Sequence, residues 1–295
     1  MRVAITGSHG LIGSALAARL GSGGHTVVRV VRGQAGPGEI SWDPKSGRLD
    51  PAALAGTDAV VHLAGVGIAD HRWTDEHKRE ITDSRVLGTT LVAETIAAMD
   101  QPPALLSASA IGFYGNRDDQ DITESSSPGT GFLAECCVAW EQATGAAQAA
   151  GVRVVTLRTG IVLTPEGGAL KKQLPLFKVG VGGRLGSGRQ YLSWISLDDE
   201  LGAIEYALTH DQLRGPLNLT APLPVTNSEF TKALGHALHR PTFVPVPTPA
   251  LKLAMGSQMV DEMLIGGAKV LPTALLAAGY EFRDPTLGAA LSRLI

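Results

Sequence analysis

The stretch from Ser107 to Asp119, "SASAIGFYGNRDD", brings serine hydroxyls at 107 and 109 close in sequence to the phenol of Tyr114. A phenol can pass a proton to or from a substrate oxygen while a neighbouring serine holds that oxygen by a hydrogen bond. It titrates at about 10, so acting as a base at neutral pH takes a cation beside it. The residues after Tyr114 are acidic instead: Asp118, Asp119, Asp121 and Glu124. Carboxylates raise a phenol pKa. Unless Lys78, Arg85 or a cofactor folds in next to it, Tyr114 is a better acid than base, and packing on a pocket wall is the other role open to its ring. Glu135 is a further acid/base candidate if it is held in an apolar setting, and otherwise a first-turn helix charge.

A second stretch, "TGSHGLIG", spaces Gly7, Gly10 and Gly13 as GxxGxxG directly after a strand pattern, with Leu11 and Ile12 opening a helix. Glycine is required where the chain turns sharply, where backbone approaches a pyrophosphate and where helix presses on strand; the helix N-terminus adds N–H groups and a positive dipole end. This context predicts dinucleotide binding. At the end of the second strand an NAD site would present Asp or Glu to the ribose diol, but this chain presents Arg32, with Arg29 three residues earlier. A guanidinium suits a 2′-phosphate, so the expected cofactor is NADP (NADPH) in preference to NAD, with solvated strand-end charges as the alternative reading.

Such groups need a scaffold. The first half alternates β-branched runs ("RVAI", "TVVRVV", "AVVHLA", "ALLSAS", "RVVTLR") with longer amphipathic stretches, among them Thr74 to Met99, where Thr74 is a cap followed by Asp75 and Glu76. This alternation predicts an α/β fold with parallel strands and right-handed crossovers, a doubly wound Rossmann sheet. After Val162 glycine and proline become dense. Residues 1–162 are expected to form the cofactor-binding domain, with a strand near 215–220 returning to it, and 163–295 a smaller C-terminal substrate-binding lobe.

The 295 residues are 44% hydrophobic, enough for a full core, and carry a formal charge of −3. That balance points away from nucleic acid and from anionic lipid, and toward a small-molecule substrate. Cys136 and Cys137 are neighbours, so no disulfide framework is expected. The eight histidines are scattered and form no metal-ligand set. With no leader pattern and no apolar run of the roughly 18 residues a membrane span needs, the expectation is a soluble cytoplasmic protein. No feature of the sequence fixes an oligomeric state.

Taken together, "TGSHGLIG", "DAVVHLAG", "SASAIGFYG" and "GSGRQYLSWISLDD" resemble the extended short-chain dehydrogenase/reductases, and more narrowly an atypical epimerase-like branch. The resemblance implies that Leu63, Ala64 and Gly65 pack on the adenosine side of the cofactor. It also implies that Glu80 and Arg85 face its ribose and nicotinamide half, with a neighbouring ion pair as the alternative for these two. Ile161 and Val162 match backbone beside the nicotinamide, and Gln190 and Trp194 the part closing over a substrate. In that superfamily a tyrosine with a lysine four residues on performs the proton transfer. Here no tyrosine has that lysine: the matching positions read Phe132 and Cys136. Ser109 and Tyr114 are left as the catalytic candidates, although strict alignment sets Ala110, not Ser109, at the serine position. The expected function is NADP-dependent oxidoreductase or epimerase chemistry on a small substrate of the sugar-nucleotide type. The alternative is a catalytically silent NADP(H)-binding sensor or structural protein.

Overall fold

The computed structural model describes all residues, Met1–Ile295. The chain begins with β1 (Arg2–Thr6), α1 (Leu11–Ser22), β2 (Thr26–Arg32), β3 (Glu39–Asp43), β4 (Arg48–Leu49), β5 (Ala59–His62), α2 (Asp75–Ala97) and β6 (Ala104–Ala110). Then come β7 (Asp121–Ile122), α3 (Phe132–Gln142), α4 (Gly145–Ala149), β8 (Val154–Thr159), β9 (Ile161–Leu163) and α5 (Gly168–Lys178). The rest supplies β10 (Tyr191–Leu192), β11 (Trp194–Ser196), α6 (Leu197–Thr209), β12 (Gly215–Leu219), β13 (Val225–Thr226), α7 (Asn227–Ala237), α8 (Thr248–Met255), α9 (Ser257–Val260) and β14 (Lys269–Val270). Two short helices, Thr273–Ala277 and Leu287–Leu294, end the run.

The main sheet has eight strands in the order β12-β8-β6-β5-β1-β2-β3-β4. β1 runs parallel to both β2 and β5, β5 parallel to β6, and β2 parallel to β3; β4 closes the edge as an antiparallel partner of β3. The chain steps from β1 to β2 on one side and then returns to β5 on the other, so the winding reverses at β1. That is the doubly wound Rossmann arrangement expected from the alternating pattern, and ligands of such sheets bind at the carboxyl ends of the strands where the order reverses. β5, with all four residues buried, is apolar except for His62 at its end, as suits a central strand of a parallel sheet. α2 starts as its sequence predicts: the Thr74 hydroxyl accepts from the His77 amide at 3.1 Å, with Asp75 and Glu76 in the positive first turn.

The chain divides into two compact units, one of residues 1–109, 136–157 and 201–217 and the other of residues 110–135, 158–200 and 218–295. The division is not a single cut at residue 162: the chain changes unit within β6, α3, β8, α6 and β12. In the first unit Val28, Val30, Trp42, Val60, Ile96 and Leu105 belong to one apolar core. In the second, Leu163, Phe177, Trp194, Phe230, Leu234 and Leu291 form another. No helix is long and apolar enough to cross a membrane.

Candidate cofactor site and the serine–tyrosine stretch

Three glycines shape the turn between β1 and α1. Gly7 has φ +64, and a Cβ on it would stand 2.8 Å from the Leu63 carbonyl and 2.9 Å from the Ala64 nitrogen. A Cβ on Gly13 would overlap the Gly7 carbonyl oxygen, and one on Gly10 would come to 3.2 Å from it. The Gly10 amide donates to the Gly7 carbonyl at 2.9 Å, and α1 then starts with neither a side-chain cap nor an acidic first turn. Its N–H groups at Leu11 and Ile12 are thus left without a competing anion. The Ser8 hydroxyl in the same turn is buried without a partner. A backbone cradle that any Cβ would fill, set at a positive helix end, fits a dinucleotide pyrophosphate.

The loop is anchored from two sides. The Thr6 hydroxyl accepts from the Leu63 and Ala64 amides at 3.1 and 3.3 Å and lies 2.7 Å from Nδ1 of His62. Burial pushes the His62 imidazole down to about 4, so it is neutral at physiological pH. On the other side, Arg29 donates to the Ser8 carbonyl at 2.6 Å. Of the two arginines of β2, Arg29 is therefore a brace of the loop, whereas Arg32 at the strand end is exposed and available to an anion.

Leu63 and Ala64, expected on the adenosine side of a cofactor, pack against the glycine turn at Gly7, and Gly65 lies next to Arg85, where its Cβ would be 3.4 Å from the guanidinium carbon. Glu80 follows the neighbouring-pair alternative, and Arg85 is held by backbone carbonyls. Glu80 is exposed and pairs with His77 Nδ1 at 3.2 Å. Arg85 donates to the Val66 and Ile81 carbonyls, each at 3.0 Å, and stacks 4.9 Å from the Trp140 ring centroid. Its bonds hold the segment after β5 to α2, which is a structural clamp.

The serine and the tyrosine fall in different units. Ser109 is buried and donates to Glu141 Oε1 on α3 at 2.6 Å, so its proton is already committed to a carboxylate. Tyr114 is 0% exposed; its hydroxyl donates to Asn218 Oδ1 at 2.7 Å and accepts from Arg158 Nη1 at 2.8 Å. Burial, first of all, raises the phenol pKa, and Arg158 opposes the rise. The direction agrees with the sequence reading but the cause does not. Asp118, Asp119 and Asp121 are exposed, and Glu124 is only a minor influence. The cation beside the phenol is Arg158, not Lys78 or Arg85. Arg158 also lies 3.6 Å over the Phe113 ring and donates to the Glu124 carbonyl. Neither catalytic candidate presents a free hydroxyl.

Gln190 and Trp194, expected at the substrate, are buried fixtures of the second unit. The Gln190 amide donates to the Leu264 and Leu185 carbonyls at 2.8 and 3.2 Å. Trp194 lies in the apolar core and donates to the Leu223 carbonyl at 3.1 Å. Ile161 and Val162, both half-buried, pair in parallel register with Trp194 and Ile195. At the helix matching the usual tyrosine–lysine pair, the Phe132 and Leu133 amides donate to Glu262, Glu135 is exposed, and burial raises the Cys136 thiol pKa. The second unit also holds Glu200, fully buried, bonded to the Thr159 hydroxyl at 2.8 Å and pushed up to about 8. Arg158, Asn218 and Glu200 escaped the sequence reading. The one available signal was an arginine inside the apolar run "RVVTLR".

The family model described as "NAD dependent epimerase/dehydratase family" matches residues 3–219, and a "Domain of unknown function (DUF1731)" matches residues 246–294. The chain is 50% identical over 290 residues to Epimerase family protein Mb2239 of Mycobacterium bovis, covering 98% of this chain and 96% of the relative. It is 37% identical over 301 residues to human Epimerase family protein SDR39U1, covering both chains completely. The crystal structure of human SDR39U1 (isoform 2) with NADPH superposes with a TM-score of 0.91 at 35% identity, covering 100% of this chain and 99% of that one. A UDP-glucose 4-epimerase from Thermus thermophilus, in complex with NAD, has the same fold, with a TM-score of 0.74 at 19% identity over 100% of this chain and 97% of that one.

Proposed function

Because the chain belongs to the NAD dependent epimerase/dehydratase family, we propose that its first unit binds NADP(H) and that the protein holds this cofactor without turning over a carbonyl or sugar-nucleotide substrate. Supporting NADP over NAD are Arg32, exposed at the end of β2, and a structural neighbour solved with NADPH. When bound, the reduced cofactor supplies a transferable hydride. The chain's own residues do the holding: Gly7, Gly10 and Gly13 admit the pyrophosphate to backbone, Leu11 and Ile12 offer amides at the start of α1, and Arg32 takes the 2′-phosphate. Leu63 and Ala64 back the loop. The buried cysteines, joined by no disulfide, suit a reducing compartment such as the cytoplasm.

The observation that carries the silent reading is the state of the Tyr114 hydroxyl, fully buried, donating to Asn218 and accepting from Arg158. A phenol so engaged cannot donate to a substrate oxygen without giving up its buried bond to Asn218, and Phe132 and Cys136 offer no substitute proton carrier. The test is a titration with NADPH and NADH followed by nicotinamide fluorescence, then incubation of the NADPH complex with a panel of aldehydes, ketones and sugar nucleotides. NADPH should bind more tightly than NADH, and nicotinamide absorbance should hold steady. Sustained loss of absorbance with any member of the panel would sink the silent reading; failure to bind NADPH would sink the cofactor assignment.

A further inference from the structure

From Gly167 to Ser196 the chain carries Lys171, Lys172, Lys178, Arg184 and Arg189 and no carboxylate; from Phe230 to Val260 it carries Lys232, Arg240 and Lys252 and again none. Eight of the 25 basic residues therefore lie where none of the 28 acidic ones do. The second unit as a whole carries 13 basic and 14 acidic residues, so its basic character is confined to these two segments.

The two segments run side by side within the second unit. Leu185 forms a parallel bridge with Val246, the Val246 amide donates to the Arg184 carbonyl at 2.8 Å, and Arg240 Nε donates to the Lys178 carbonyl at 2.8 Å. Gly183 lies directly against Val244, where any Cβ would overlap the Val244 carbonyl oxygen. Along this seam large apolar side chains stand in water. Phe243 is 90% exposed and Leu253 82%, and Leu176, Val179, Val181 and Val244 are each more than half exposed. α8 buries none of its residues. The cations at 171, 172, 178, 184, 189, 232 and 240 are exposed, and Lys252 pairs with Asp261.

Exposed apolar side chains on two segments joined side by side mark an interaction surface. Five of the eight cations are lysines, point charges that answer a diffuse negative field and lack the fork geometry of a bidentate contact. We propose that this face docks on an anionic lipid surface, with Phe243, Val244, Leu253 and the aliphatic residues at the end of α5 entering the interface and the lysines and arginines meeting lipid phosphates. The chain then lies on a membrane without spanning it. The balance of total charge that points away from lipid conceals this because carboxylates elsewhere in the same unit offset the two segments.

The experiment is sedimentation of the purified full chain with vesicles of phosphatidylcholine alone and with roughly 30% phosphatidylserine, at low and high salt. Wild type should partition into the anionic vesicles about tenfold more strongly than into neutral ones, and lose most of that advantage at high salt. Phe243→Ser with Val244→Ser should weaken binding to both vesicles, and Lys171→Glu with Lys178→Glu to the anionic ones alone. All four substitutions are at exposed side chains. NADPH titration of each variant checks folding, and unchanged cofactor affinity separates this proposal from the reading of the first unit. No partition of wild type into anionic vesicles, or equal partition of wild type and both variants, overturns the proposal. A light-scattering mass that doubles in wild type and reverts in the Phe243→Ser, Val244→Ser variant would assign the face to a second copy and overturn it as well.

Discussion

Arg158 Nη1 donates to the Tyr114 hydroxyl at 2.8 Å, inside the second unit and out of contact with solvent. In a proton-transferring enzyme a cation beside a phenol lowers its pKa; here burial outweighs the cation and the pKa goes up. The pair holds the chain together. Tyr114 connects the short helix after β6 to β8 through Arg158 and to β12 through Asn218, whose own side-chain amide donates to the Leu271 carbonyl at 2.9 Å.

Replacing Tyr114 by Phe should therefore act on stability and leave the cofactor alone. The substitution strands Asn218 Oδ1 and one N–H of a buried guanidinium, each costing about 1–3 kcal/mol. Urea denaturation should show an unfolding free energy lowered by that order, with NADPH affinity unchanged. A variant of wild-type stability that had lost a measurable turnover would reverse the assignment and make Tyr114 catalytic.

The same pair explains what could be read in the sequence and what could not. Gly7, Gly10, Gly13, Leu63 and Ala64 were legible because their job is local: backbone turns and strand ends a few residues from a helix start. The partners of Tyr114 lie 44 and 104 residues away in sequence. Nothing in "SASAIGFYG" encodes them. Gln190 and Trp194 misled for a similar reason, since each is fixed by a distant carbonyl, 74 and 29 residues on. Polar and aromatic residues in a glycine-rich stretch suggest a binding loop until the long-range partner is known.

Arg29 and Arg32 should separate cleanly in a binding experiment. Arg32→Asp removes a charge-assisted contact to a 2′-phosphate and sets a carboxylate in its place, so NADPH affinity should fall roughly 10–100-fold with little change for NADH. Arg29→Ala loosens the Ser8 carbonyl, which both cofactors depend on, so NADPH and NADH should weaken together. Equal losses for both cofactors in Arg32→Asp would refute its assignment to the 2′-phosphate. A loss confined to NADPH in Arg29→Ala would move that role to Arg29.

His62 makes the first unit sensitive to acid. Its folded pKa is depressed from 6.5 to about 4, so the unfolded chain takes up a proton across that window and the native chain does not. The contribution of His62 to stability should fall as pH drops from 6.5 toward 4, by up to about 3 kcal/mol at 1.36 kcal/mol per pKa unit. His62→Asn keeps an acceptor for the Thr6 hydroxyl and cannot titrate. It should be less stable than wild type at neutral pH, because it leaves a cavity beside Trp42, yet show a flatter dependence in the acid range. A wild-type curve without an acid-side decline in excess of that variant's would place a charged imidazole in the native state.

Glu200 acts with the opposite sign. Its folded pKa is raised from 4.5 to about 8, so the native carboxyl keeps its proton where the unfolded one has lost it, and stability should decline as pH rises through that window. Between 4.5 and 6.5 the slopes from Glu200 and His62 cancel, which predicts a shoulder of near-constant stability there, with loss on the acid side from His62 and on the alkaline side from Glu200. Glu200→Gln keeps an acceptor for the Thr159 hydroxyl and removes the titration. Denaturation at about pH 5 should find variant and wild type close together. At about pH 8 the variant should be more stable by a few kcal/mol, the upper bound of the shift at 1.36 kcal/mol per unit being about 5. If the two proteins track each other across that range, the carboxyl ionises in the native state, and an unseen cation or solvent path must reach the unpartnered Oε2 of Glu200.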